Sequence, residues 1–111
     1  MIEMTVKEIA DKLGLEHAAG SMDAEVEGVY VGDLLSNVMA KAGEKNLWIT
    51  VQGHPNVVAV AALSNLAGVV VVEDFPIQPE AVQRAREKNV NLLRTSMPAY
   101  ELVAKLVELG V

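Results

Sequence analysis

Residues 46–72 read NLWITVQGHPNVVAVAALSNLAGVVVV, and the interpretation of this stretch decides the fold. Leu47 to Val51 has the character of a buried strand. Val57 to Leu66 fits two templates, since its valines favour strand and its alanines favour helix. Pro55 at its start, Gly68 at its end and the continuous apolar run Val69 to Val72 beyond it resolve the ambiguity. Proline suits the first turn of a helix, and two apolar strands separated by such a segment form a βαβ unit with a crossover helix. That helix is apolar around its whole circumference, whereas a surface helix carries a polar face. Either both of its sides are covered within one chain or one side meets a second copy, and a symmetric homodimer is the expectation for so small a protein.

The same alternation continues in both directions. Upstream, Glu25 to Val31 reads as one strand, interrupted by Gly32-Asp33 before Leu34, Leu35, Val38, Met39 and Ala42 recur at helical spacing up to Gly43. At the N-terminal end, Thr5 and Glu8 form a capping box ahead of Val6, Ile9, Ala10 and Leu13, and Gly14 closes that short helix. Downstream, 79–88 is a surface helix, 90–94 a short buried strand and 98–109 a final amphipathic helix. The fold class implied is three-layer α/β/α, with a mainly parallel sheet, right-handed crossovers and a small N-terminal helix–strand subdomain, all in one domain over 1–111.

Composition narrows the function classes. The chain is 51% hydrophobic but only 4% aromatic, so its core is aliphatic. A formal charge of -6 opposes attraction to nucleic-acid backbones and anionic lipid surfaces. There is no cysteine, which excludes disulfides, thiolate nucleophiles and cysteine-bound metal clusters. Met1 to Thr5 has no basic segment followed by an apolar one, and no apolar run approaches the ~20 residues of a membrane span, so a cytoplasmic address is expected.

Loops at the carboxyl ends of parallel strands gather on one edge, where open α/β sheets commonly bind ligands. Those loops are Gly32-Asp33, Gln52 to Asn56, Glu73 to Gln78 and Thr95-Ser96. The densest polar cluster pairs Gln52, Gly53, His54 and Asn56 with Gly32, Asp33 and Ser36. Both segments lead into helices, whose free backbone amides and dipoles favour an anionic or nucleotide-like ligand. Gly32 and Gly53 permit close backbone approach. Asp33 reads as the N-cap of its helix, worth about 1 kcal/mol, which is compatible with orienting a ligand.

Catalytic readings fail. Asp33, Ser36 and His54 include the residue types of a hydrolytic triad, but no GxSxG elbow accompanies them. Asp23, Glu25 and Glu27 read as a solvated strand face, and His17 has no partner at metal-ligand spacing. Neither a metal nor another cofactor is implied. A basic recognition helix for DNA is absent after Leu15, and Trp48 reads as core.

The segments GVYVGDLLSNVMA (28–40) and NLWITVQGHPNVVAVAALSNLAGVVVV (46–72), followed by a strand and closing helix, resemble the DRTGG domain, a relative of the N-terminal domain of HPr kinase/phosphorylase. The five-letter motif that names the family is replaced here by His54-Pro55-Asn56 in the corresponding loop. The resemblance implies a noncatalytic regulatory domain, found alone, beside nucleotide-sensing CBS domains or fused to enzymes, and a homodimer. Stand-alone forms resemble accessory proteins of iron hydrogenases, so a purely structural role in such a redox complex is the alternative. No GxxxxGK[ST] phosphate loop is present, so kinase chemistry of the HPr type is not expected.

Overall fold

The valine- and alanine-rich stretch is a helix. In the computed structural model, which describes residues 3–111, the elements in chain order are β1 (Met4–Thr5), α1 (Val6–Leu13), β2 (Glu16–Ala19), β3 (Glu25–Val26), β4 (Val29–Val31), α2 (Leu35–Lys41), β5 (Leu47–Thr50), α3 (Pro55–Leu63), β6 (Gly68–Val71), α4 (Pro79–Lys88), β7 (Leu92–Arg94) and α5 (Ala99–Glu108). The reading of the extreme N-terminus rests partly on Met1 and Ile2, which lie outside the described residues.

The main sheet has the order β2-β7-β6-β5-β4, with β4 through β7 parallel and β2 antiparallel at one edge. Its strands alternate between two cores. Leu47, Ile49, Val70 and Leu93 point into a cluster with Val6 and Ile9 of α1 and Leu102 and Leu106 of α5. Trp48, Val69, Val71 and Leu92 point the other way, toward Val38 of α2, Val57, Val58 and Ala61 of α3, and Ala81 and Ala85 of α4. This period-two alternation across strands buried on both faces produces the three layers. Each fully buried aliphatic side chain contributes about 1.5–3 kcal/mol.

Three sequence expectations change. The helix α3 owes its apolar circumference to its own chain: α2 and α4 flank it over the sheet, and at its C-terminal end Leu63 is 78% exposed. A second copy is not needed to cover it. The stretch from Glu25 to Val31 is two strands, because Gly28 adopts a left-handed φ of 87° and turns the chain. The first part pairs with β1 in a two-stranded ribbon, and the second joins the main sheet. The N-terminal unit also supplies β2 to the main sheet and packs α1 into one of the two cores.

Caps define the N-terminal helix as anticipated. Thr5 Oγ1 accepts from the Glu8 N–H at 3.2 Å, the Glu8 carboxylate accepts from the Thr5 N–H at 3.1 Å, and Gly14 closes the helix. The following segment is tied to the far end of the sequence. Ser21 N–H donates to Asn89 Oδ1 at 3.0 Å, and Met22 N–H donates to Asn91 Oδ1 at 2.8 Å. Asn91 is buried and its Nδ2 donates to the Ala67 carbonyl at 2.8 Å, so no polar atom of this side chain is left unpaired.

Candidate functional site

The four loops after β4, β5, β6 and β7 share the carboxyl edge of the sheet, as parallel strands require. These strands follow one another across the sheet without reversal, so the edge has no topological switch point and no crevice of that origin. What it has is an open depression of about 420 Å³ lined by Leu35, Gln52, Gly53, His54, Asn56 and Gln78.

Gln52, Gly53, His54 and Asn56 therefore come together as expected. Gly32, Asp33 and Ser36 do not line the depression. The Gly32 carbonyl accepts from Trp48 Nε1 at 2.8 Å, which anchors the only indole of the chain, and Ser36 is exposed on α2.

Asp33 is not a helix cap. Leu34 holds the N-cap position of α2 without any side-chain hydrogen bond. Asp33 Oδ1 instead accepts from Thr50 Oγ1 at 2.7 Å and from the Val51 N–H at 3.0 Å, bracing the end of β5 against the end of β4. Its carbonyl accepts from Gln52 Nε2 at 2.7 Å, which fixes that amide and leaves Gln52 Oε1 as the atom available to a ligand. Thr50 Oγ1 also accepts from the Gln52 N–H at 3.3 Å. The loop is thus held in shape by its own chain.

His54 is the N-cap of α3. Its Nδ1 accepts from the Asn56 N–H at 3.0 Å, which in the neutral ring places the proton on Nε2 as a free donor. This arrangement removes the anion site inferred from free helix amides. Pro55 has no N–H, the Asn56 N–H is taken by the imidazole, and the Val57 N–H donates to the His54 carbonyl at 2.9 Å. The lining also contains no cationic side chain.

The close approach that Gly53 permits is used internally. A Cβ there would lie 2.1 Å from the Pro76 carbonyl oxygen and 2.7 Å from Ile77 Cα. The Gln78 N–H donates to the Gly53 carbonyl at 2.9 Å, so the β6–α4 loop forms one wall of the depression. That loop is clamped in turn by Arg94, whose Nε donates to the Phe75 carbonyl at 2.9 Å and whose second guanidinium nitrogen donates to the Asp74 carbonyl at 2.6 Å.

Leu35 and Gln78 were absent from the sequence-derived set. A signal for Gln78 existed: Gln78-Pro79 repeats the pattern of His54-Pro55, a residue before proline opening a helix at the carboxyl edge of a strand. The depression offers an imidazole N–H, a Gln52 carbonyl oxygen, and the Asn56 and Gln78 amides, which make no side-chain hydrogen bond among the described residues. It is a set of neutral donors and acceptors beside one apolar wall. Asp33 is committed to Thr50 and Val51, so a triad through His54 is not assembled. Among the described residues no group of three or more His, Asp or Glu side chains is placed to hold a metal ion. Among the described residues no helix is long and apolar enough to cross a membrane.

Comparison with known proteins agrees with this architecture. A crystal structure of the CBS and DRTGG domains of the regulatory region of Clostridium perfringens pyrophosphatase, complexed with its activator diadenosine tetraphosphate, superposes with a TM-score of 0.73 at 13% identity. The match covers 90% of this chain and 44% of that one, so this chain spans under half of the solved region. No curated protein matches the sequence. The family model of the DRTGG domain matches residues 8–109, nearly the whole length. The chain belongs to the DRTGG domain family.

Proposed function

We propose that this chain is a noncatalytic regulatory module that binds a small nucleotide-like ligand in the depression at the β5–α3 loop and passes its state to a partner protein. One observation carries the reading: the free groups of His54, Gln52, Asn56 and Gln78 converge on one site without a cation among them. Neutral donors and acceptors match the edge of a base, a ribose or an amide, whereas a phosphate held there would lack a counter-charge. The ligand is accordingly gripped by its neutral part, with any phosphates directed to solvent. Family membership and the nucleotide activator of the structurally similar pyrophosphatase region support a sensing role. The absence of a phosphate loop, and the diversion of Asp33 away from His54, support a module without chemistry of its own.

Thermal unfolding in the presence of adenosine, ATP, diadenosine tetraphosphate or inorganic pyrophosphate tests this. A ligand at a hundredfold excess over its Kd stabilises by about 2.7 kcal/mol, or roughly 10 °C for a domain of this size. Compounds with a base should raise the Tm and pyrophosphate alone should not, and Gln78→Ala should abolish the shift. Equal stabilisation by pyrophosphate, or chemical-shift changes confined to the exposed face of α4, would overturn the site. If no nucleotide stabilises the protein, the ligand-free interaction module, an accessory subunit of a redox complex among its forms, replaces this reading.

A further inference from the structure

We infer, building on the ligand reading above, that Arg94 is a positioning residue for the depression: its guanidinium holds the β6–α4 loop in the conformation that brings Gln78 to the ligand. Arg94 does not line the depression itself. It ends β7, with its side chain 30% exposed, and reaches a loop 19 and 20 residues earlier in the chain. There its Nε–H donates to the Phe75 carbonyl and its Nη2 to the Asp74 carbonyl, so one planar group grips two successive peptide units.

The loop needs such a grip. Glu73 and Asp74 are consecutive non-glycine residues in the left-handed region, with φ of 59° and 57°. Residues in that conformation persist only where their surroundings over-determine it. The constraints here are divided between donors and acceptors. The Glu73 and Asp74 N–H groups donate to the Met97 and Thr95 carbonyls, each at 3.0 Å. The Asp74 and Phe75 carbonyls, one within the strained pair and one just after it, are taken by Arg94. From there the chain crosses Gly53 and reaches Gln78, whose N–H is bonded to the Gly53 carbonyl. Arg94 fixes one end of this span and Gly53 the other.

Charge and shape contribute unequally to the grip. The carboxylates of Glu16 and Asp74 lie 3.6 and 3.7 Å from the guanidinium on mostly exposed side chains, where ion pairs contribute little. The carbonyl bonds require two donors held in one plane, which a guanidinium provides and an ammonium does not. Arg94→Lys therefore keeps the charge and loses the grip.

Hydrogen exchange and calorimetric titration with diadenosine tetraphosphate, both on the full chain, test the assignment. In Arg94→Lys the relaxed loop should hold its binding shape in about a tenth of the molecules, so the Gln78 amide loses its protection and the Kd rises about tenfold. Arg94→Gln should match it, and serves if the lysine variant misfolds. Glu16→Gln, which removes an ion pair but not the grip, should leave both readouts within about twofold of wild type. Binding kept in Arg94→Lys but lost in Arg94→Gln would make Arg94 a charge that meets the ligand's phosphates, and would overturn the positioning role. So would faster exchange of the Val69 amide, inside the sheet, with Gln78 unchanged, since Arg94 would then support the fold without setting the loop. If the wild type binds no nucleotide, the ligand reading falls alone, and the Gln78 exchange rate still decides whether Arg94 sets the loop.

Discussion

Replacing Asp33 with alanine separates the brace seen in the structure from the helix cap that its sequence position suggests. The substitution removes the acceptor of Thr50 Oγ1, a hydroxyl on a residue only 2% exposed, and of the Val51 N–H. A hydrogen bond to a charged acceptor contributes about 1.5–3 kcal/mol, and the more exposed Val51 bond is worth about 1. The expected loss is therefore at least about 2.5 kcal/mol, compared with about 1 for an N-cap. At roughly 4 °C per kcal/mol the melting point should fall by about 10 °C. Trp48, fully buried and the only tryptophan, reports unfolding in urea by its fluorescence. Asp33→Ser sharpens the distinction, since serine caps helices as well as aspartate does but is too short to hold both donors. A double-mutant cycle with Thr50→Val should give a coupling of about 1 kcal/mol or more. A loss below about 1 kcal/mol for Asp33→Ala, or strict additivity with Thr50→Val, would refute the brace.

Further outcomes follow from other contacts. Gly53→Ala should destabilise by about 1–3 kcal/mol in thermal melts, because its Cβ meets backbone rather than a movable side chain; a neutral result would mean that the β6–α4 loop yields. His54→Ala should cost about 1 kcal/mol through the lost cap while His54→Asn restores most of it, and nucleotide binding should be lost in both. Glu3 provides a pH dependence: hydrogen bonding with Glu25, and then Glu27, pushes its carboxyl up from 4.5 to about 7. The folded state then holds a proton that the unfolded chain has released, so stability should fall as pH rises from about 4.5 to 7, the more so at low salt. Glu3→Gln should flatten that slope in pH-resolved melts, and an unchanged slope would place its origin elsewhere.

The parallel sheet was readable because each strand and helix between Leu47 and Glu108 carries its own local pattern, including the proline and glycine that bracket α3. The β2 strand was not, since Glu16 and His17 are exposed on an edge and leave no alternation to detect. Of the site, the Gln52–Asn56 loop was visible as a polar interruption after an apolar strand. The true partners of Asp33 were not, because Thr50 and Val51 stand 17 and 18 residues away while the cap position is adjacent. The loss of the α3 amides depended on which imidazole nitrogen faces the backbone, a choice of rotamer that sequence does not display.

The stitching of residues 21 and 22 to Asn89 and Asn91 also sets an order of events during synthesis. The two contacts span 68 and 69 residues, so the N-terminal segment is made first and secured last. At about 5–20 residues per second, translation needs roughly 3–14 s to supply the asparagines after the donors have appeared. Through that interval β2 has no β7 to pair with, and the α1 surface waits for α5. A nascent chain halted before residue 89 would therefore leave β2 and the α1 surface open to proteases and chaperones, whereas one in which β7 and α5 have docked would not.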